Sequence, residues 1–172
     1  LIARDSGTSV QAAGQCPIGR TVVSAVMSSS APSFAVRVPT PTTPLIGREA
    51  EVAVLLSLIR DPDSRLISLL APGGMGKTRL ALEVAARVTG EVQQGAAFIP
   101  LGAVAEPEQV VSAIASAVGV TLSGQLDPKQ QLLEHFRRRH VLLVCDNFEH
   151  LLDAAPLLTE ILDVAPKVKL LT

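Results

Sequence analysis

Residues 66–88 read LISLLAPGGMGKTRLALEVAARV, and this stretch leaves the chain little conformational freedom. An apolar run, residues 66–70, enters a glycine-rich turn that closes on Gly76-Lys77-Thr78. Beyond it Leu80, Val84 and Val88 recur every four residues, so the order is strand, tight loop, helix. Glycine at Gly73, Gly74 and Gly76 lets successive backbone N–H groups turn inward, which no chain of bulky residues could do. A helix starting near Lys77 adds the partial positive charge of its first turn. Together these features form a receptacle for anionic oxygens.

The pattern is that of a phosphate-binding P-loop, with Lys77 reaching β- and γ-phosphates and the Thr78 hydroxyl offered to Mg²⁺. The expected ligand is ATP or ADP, held by Pro72, Gly73, Gly74, Met75, Gly76, Lys77, Thr78 and Arg79. The strict form of the pattern begins with Gly, where this chain has Ala71. A methyl group is tolerable there if that residue keeps a negative φ. A second run, VLLVC at residues 141–145, ends in Asp146, about 70 residues after the loop. An acid at the end of a buried strand fits the Walker B role of steadying Mg²⁺, so Thr78 and Asp146 are the expected metal residues. Asn147 follows where many ATPases carry a carboxylate base, and an amide cannot accept the proton. Glu149 is then the nearest candidate base, although an acid early in a helical turn is equally explained by the helix dipole. Lys77, Asp146 and Glu149 are the expected catalytic group.

Around these landmarks the periodicity alternates. Helices are predicted over residues 49–59, 79–88, 106–118 and 128–136, the last opened by Asp127 as N-cap and Pro128 in the first turn. Gly90 is expected to end the second of them. Strands are predicted at 66–70, 97–101, 141–145 and 168–172. Residues 148–162 have a helical pattern that Pro156 should break, starting a second piece. The fold class is α/β, a parallel sheet covered by helices on both faces, built from right-handed βαβ units and cut off after the fourth strand. Residues 28–44 are rich in Ser, Pro and Thr and read as a linker, so the domain is expected at 44–172 with an extension at 1–43.

Other classes fit less well. A net charge of −1 and a pI near 6.3 carry no nucleic-acid or anionic-membrane signature. No apolar run reaches the roughly 20 residues that span a bilayer, and residues 21–27 are too short and polar for a signal-peptide core. Cys16 and Cys145 stand in unrelated contexts, so a reducing cytoplasm is the expected setting. The segment Leu122-Ser123-Gly124-Gln125 lacks the further glycine and onward helix of a transporter signature, as Asp146 lacks its following Glu, and reads as a loop. His135, His140 and His150 have no cysteine or carboxylate grouping of metal-site type, and Arg137, Arg138 and Arg139 read as a solvated helix end.

Four pieces in order, PLIGRE at 44–49, APGGMGKTRLALEVA, FIPL at 98–101 and LLVCDNFEHLLDAAP, resemble the NTPase domain of STAND signal-transduction ATPases. Within that class the chain is most similar to bacterial LuxR- and SARP-type transcriptional regulators that carry such a module. The resemblance covers about residues 44–172. It implies that Leu45, Ile46, Gly47 and Arg48 lie on the base side of the nucleotide. It also implies a fifth strand, a lid, a sensor and a DNA-binding domain beyond Thr172, the chain then being a fragment, and it is compatible with nucleotide-dependent self-association. The function it implies is a nucleotide-governed switch with slow hydrolysis. A motor-type AAA ATPase, another ATP-dependent enzyme, and an inactive nucleotide-binding scaffold remain alternatives.

Overall fold

The computed structural model describes Val38, Pro39 and residues 42–172; Cys16 and most of the expected extension lie outside the described residues. Four strands, β1 (Leu66–Ile67), β2 (Ala96–Pro100), β3 (Leu142–Asp146) and β4 (Lys169–Leu171), pair in parallel in the order β1-β4-β3-β2. Five α-helices connect or flank them: α1 (Glu49–Arg60), α2 (Lys77–Val88), α3 (Gln109–Ala117), α4 (Pro128–Phe136) and α5 (Ala155–Val164). Parallel strands need long crossovers, and helices supply them while covering the sheet.

Successive residues of β3 show how both faces are filled. Leu142 and Val144 join the layer formed by α1 and α2, with Val52, Leu55, Ile59, Val84 and Val88. Leu143 and Cys145 join the opposite layer, with Ile114, Leu132, Phe136, Leu158 and Ile161 from α3, α4 and α5. A strand buried on both sides must be apolar throughout, which is why its sequence does not alternate. Val38 is half-buried against the first layer.

The edges of the elements differ from the sequence reading for identifiable reasons. The expected five-residue strand at 66–70 has only two ladder residues, Leu66 and Ile67, paired with Leu170 and Leu171. Leu66 and Leu70 are exposed, so this run is not the fully buried strand its composition suggests. Backbone bonding continues one step, through Leu69 N to Thr172 O, and then the path turns into the loop. Helix α3 begins at Gln109 instead of at 106, because Glu106 and Pro107 accept i+3 bonds from Gln109 and Val110 in a turn. Residues 148–154 form two 3₁₀ turns, Phe148–His150 and Leu152–Ala154, and α5 then carries Pro156 in its first turn, where no N–H is required. The break expected at Pro156 is therefore present, with 3₁₀ turns ahead of it instead of an α-helical piece.

Helix α2 ends at Val88 with Thr89 as its C-cap in helical geometry, and Gly90, next in the chain, is not left-handed; the left-handed Gly95, φ 75°, lies just before β2. Helix α4 matches the sequence reading, and the Asp127 carboxylate accepts from the N–H groups of Lys129 and Gln130. Residues 122–125 lie in a loop and turn. Arg65 ties α5 to the sheet edge: its Nη2 donates to the Leu162 and Ala165 carbonyls, both at 2.6 Å, and its Nε to Val168 O at 3.4 Å. The Leu162 carbonyl lies in the last turn of α5, and Ala165 O, at its C-cap, also accepts from Val168 N–H, so the guanidinium adds charge-favoured bonds at a helix C-terminus. Among the described residues, no helix is long and apolar enough to cross a membrane.

Candidate nucleotide-binding site

The loop between β1 and α2 has the conformation its glycines were expected to permit. Gly74 and Gly76 both have φ near 78°, a region that costs an L-residue strain. A Cβ added at Gly73, Gly74 or Gly76 would meet nothing within 4 Å, so protein packing does not demand glycine there. What glycine preserves is open space in front of the loop backbone, as a cradle for bound oxygens requires. Ala71 is not among the positive-φ residues, so its methyl group is accommodated without strain. Helix α2 starts at Lys77, where the loop pattern places it and two residues before the apolar stripe begins, and so aims its first N–H groups at the cradle.

Strand β3 delivers the second half. The Thr78 hydroxyl donates to Asp146 Oδ1 at 2.7 Å, although 68 residues separate them. The Lys77 ammonium donates to Ala71 O at 3.0 Å and lies 3.8 Å from Glu149 Oε1. Lys77, Thr78, Asp146 and Glu149 are thus brought together at the carboxyl ends of the strands, where ligands bind in open parallel sheets. A hydroxyl beside a carboxylate is the hard-oxygen pair that Mg²⁺ takes from protein, with phosphate and water completing its shell. Among the described residues no group of three His, Cys, Asp or Glu side chains forms a metal cage.

Asn147 is left-handed, with φ 60° and ψ 42°, a geometry asparagine tolerates better than most residues. It turns the chain sharply after Asp146, so that Phe148 is buried while Glu149 stays exposed toward Lys77. Beside it Cys145 is sealed in the core, and burial pushes its thiol up to about 12. The histidines stand apart: His150 Nε2 is 2.8 Å from Val104 O, and His135 sits edge-on to Phe136.

On the other side of the loop lies a cavity of about 500 Å³, between α1, the end of β1 and the start of α2. Of the four residues expected on the base side, Leu45 and Arg48 line it, together with Met75, Gly76, Lys77 and Arg79. Ile46 and Gly47 do not line it, and Ile46 is 82% exposed. Arg48 braces the mouth, pairing with Glu51 at 2.8 Å and donating to Met75 O at 3.3 Å. Hydrogen bonds from backbone and then from Arg48 hold the Glu51 carboxyl below its ordinary value. Glu51, Val54, Leu70 and Leu80 also line the cavity and were missed in the sequence. Val54 left a trace: it stands off the stripe of Val52, Leu55, Leu56 and Ile59 yet is apolar, and it is 58% exposed.

The family profile of the AAA domain matches residues 60–171, spanning β1, the loop, α2 and the strands to β4. The chain belongs to the AAA domain family. An uncharacterized protein of Mycobacterium tuberculosis is 34% identical over 131 residues, covering 76% of this chain and 33% of that protein. A protein of the same organism provisionally described as an HTH-type transcriptional regulator is 37% identical over 109 residues, covering 63% of this chain and 12% of its own length. The chain thus spans about a third of the first relative and about an eighth of the second. The structure of the Aeropyrum pernix ORC2 protein, described as ADPNP-ADP complexes, superposes with a TM-score of 0.56 at 16% identity, over 74% of this chain and 40% of that one. At that identity the likeness shows the fold alone, a P-loop ATPase arrangement shared with the AAA domain described above.

Proposed function

We propose that this AAA domain is the ATP/ADP-binding switch of a STAND-type transcriptional regulator, and that it hydrolyses ATP slowly with Mg²⁺. The observation that carries the reading is the convergence of Thr78 and Asp146 at 2.7 Å beside Lys77, with an amide, Asn147, in the position next to Asp146. Lys77 exchanges the Ala71 carbonyl and Glu149 for the β- and γ-phosphate oxygens. Gly74 and Gly76 keep the backbone donors turned to the same oxygens. Thr78 and Asp146 hold Mg²⁺, which when bound neutralises phosphate charge as it develops. Among the described residues Glu149 is the carboxylate paired with the Lys77 ammonium, and as general base it orients the attacking water. Its side chain is exposed on a single 3₁₀ turn, a support less rigid than a strand, so turnover is slow.

The regulator described in words for one relative supports the biological setting, as does the agreement of the GRE and DNFEH segments with that class. In this reading residues 1–43 form an extension or linker, the protein acts in the cytoplasm, and lid, sensor and DNA-binding parts belong to the whole protein. Nucleotide state changes how those parts are arranged.

The test uses the full-length protein. ATP affinity is measured against Mg²⁺ for wild type and Asp146→Asn, and turnover for wild type and Glu149→Gln. Mg²⁺ strengthens ATP binding in wild type and loses that effect in Asp146→Asn; turnover stays below about 1 s⁻¹, under the range typical of kinases, and falls further in Glu149→Gln. Fast turnover that survives Glu149→Gln refutes the switch and the base together.

A further inference from the structure

Three cations line the cavity beside the loop, and two of them are satisfied. Arg48 is paired with Glu51 and Met75 O, while Lys77 is held by Ala71 O near Glu149. The third, Arg79, has a buried Nη1 without any hydrogen-bond partner, the one such side-chain atom among the described residues. A guanidinium can only donate, so what it lacks is an acceptor. The cavity it lines is walled mostly by apolar side chains, among them Leu45, Val54, Leu55, Leu70 and Leu80. A charged donor held against such walls leaves that position readily when an acceptor is offered.

Helix geometry says which part of a ligand can offer one. Residues on a helix advance about 100° each, so Arg79 projects roughly 200° around α2 from Lys77 and 100° from Thr78. Lys77 and Thr78 face the phosphate side, toward Ala71 O and Asp146. Thr78 does not line the cavity while Arg79 does, beside Leu45 and Arg48, so Arg79 is placed to meet the part of the ligand that lies in the cavity and not at Thr78 and Asp146. The cavity's size and apolar walls suit a flat ring system with few polar contacts.

Building on the nucleotide-binding function proposed above, we infer that Arg79 is a specificity residue that donates to an acceptor on the nucleoside half of the nucleotide, a purine ring nitrogen or a ribose oxygen. The phosphates are held without it. Arg79 thereby makes the site read a nucleotide and not merely a polyphosphate.

Calorimetry on the full-length protein with ATP, 2′-deoxy-ATP and inorganic tripolyphosphate tests this. Wild type binds ATP more tightly than tripolyphosphate. Arg79→Met weakens ATP by roughly ten- to a hundredfold, the worth of a hydrogen bond to a charged group, and leaves tripolyphosphate within twofold. Arg79→Lys, which keeps charge and stem, loses a smaller part and covers the case in which the methionine variant misfolds. If the Arg79→Lys deficit vanishes with 2′-deoxy-ATP, the acceptor is the ribose 2′-hydroxyl; if it persists, the acceptor lies elsewhere on the nucleoside, and both results support the inference. Equal loss of ATP and tripolyphosphate in folded variants, or no loss of either, overturns it. Wild type that binds neither ligand refutes instead the nucleotide-binding function on which the inference rests.

Discussion

Replacing Lys77 by methionine separates binding from folding, because the two depend on very different parts of its environment. In the protein alone Lys77 donates to one carbonyl at 3.0 Å and stands 3.8 Å from a carboxylate whose side chain is 61% exposed. An ion pair that open to water contributes about 0–1 kcal/mol, so stability should change by no more than that. Toward phosphate the position differs, since the Lys77 side chain is only 28% exposed at the mouth of the cradle. Two unit charges about 4 Å apart interact by about 1 kcal/mol in water and about 4 kcal/mol near a protein surface. A value of about 2–3 kcal/mol between those limits corresponds to roughly a 30- to 150-fold loss of affinity. Calorimetric titration with ADP and ATP, beside a thermal melt by circular dichroism, measures both quantities. Lys77→Met with unchanged ADP affinity refutes the assignment of the loop. A melt that collapses together with the affinity refutes the separation argued here.

Arg65→Met keeps the aliphatic stem but removes the two 2.6 Å bonds to Leu162 and Ala165. It should cost about 2 kcal/mol, seen as a lower urea midpoint at constant slope, whereas an unchanged midpoint shows the cap to be dispensable. The pH response should carry a mark from His135, whose pKa is lowered first by burial and then by Arg139. A histidine depressed in the folded state binds fewer protons there than when unfolded, so stability falls as pH drops below the unfolded value near 6.5. His135→Gln should make that acid-side decline shallower in urea titrations from pH 7 to 5; an identical slope removes His135 as the cause.

Much of the architecture was legible because its causes are local. Asp127 and Pro128 fix the start of α4 through two capping bonds and a preset φ, and the structure begins the helix there. The loop was legible because glycine at Gly74 and Gly76 is required by φ itself. What escaped was set by distant partners. The length of β1 depends on where β4 offers hydrogen bonds, and apolar content could not reveal that Leu66 and Leu70 face outward. The contacts of Arg65 with α5 span about 100 residues, and Arg48 meets the loop 27 residues on. The unpaired nitrogen of Arg79 has no sequence signature at all, because an absent partner leaves no pattern. At residues 148–154 the chain has enough apolar residues for a helix, but the left-handed Asn147 opens the segment and two short 3₁₀ turns follow.

Strand β3 has no spare face, since Leu142 and Val144 are claimed by one layer while Leu143 and Cys145 are claimed by the other. Sequence drift in this family member is thereby restrained along an unbroken block of positions, not at every second one. A polar replacement anywhere in that block meets a core, and a change of volume in either layer is transmitted to the position of Asp146. Glu149 itself, exposed next to the buried Phe148, is under no such restraint. Variation can therefore accumulate at Glu149 long before it reaches the geometry that sets Thr78 against Asp146.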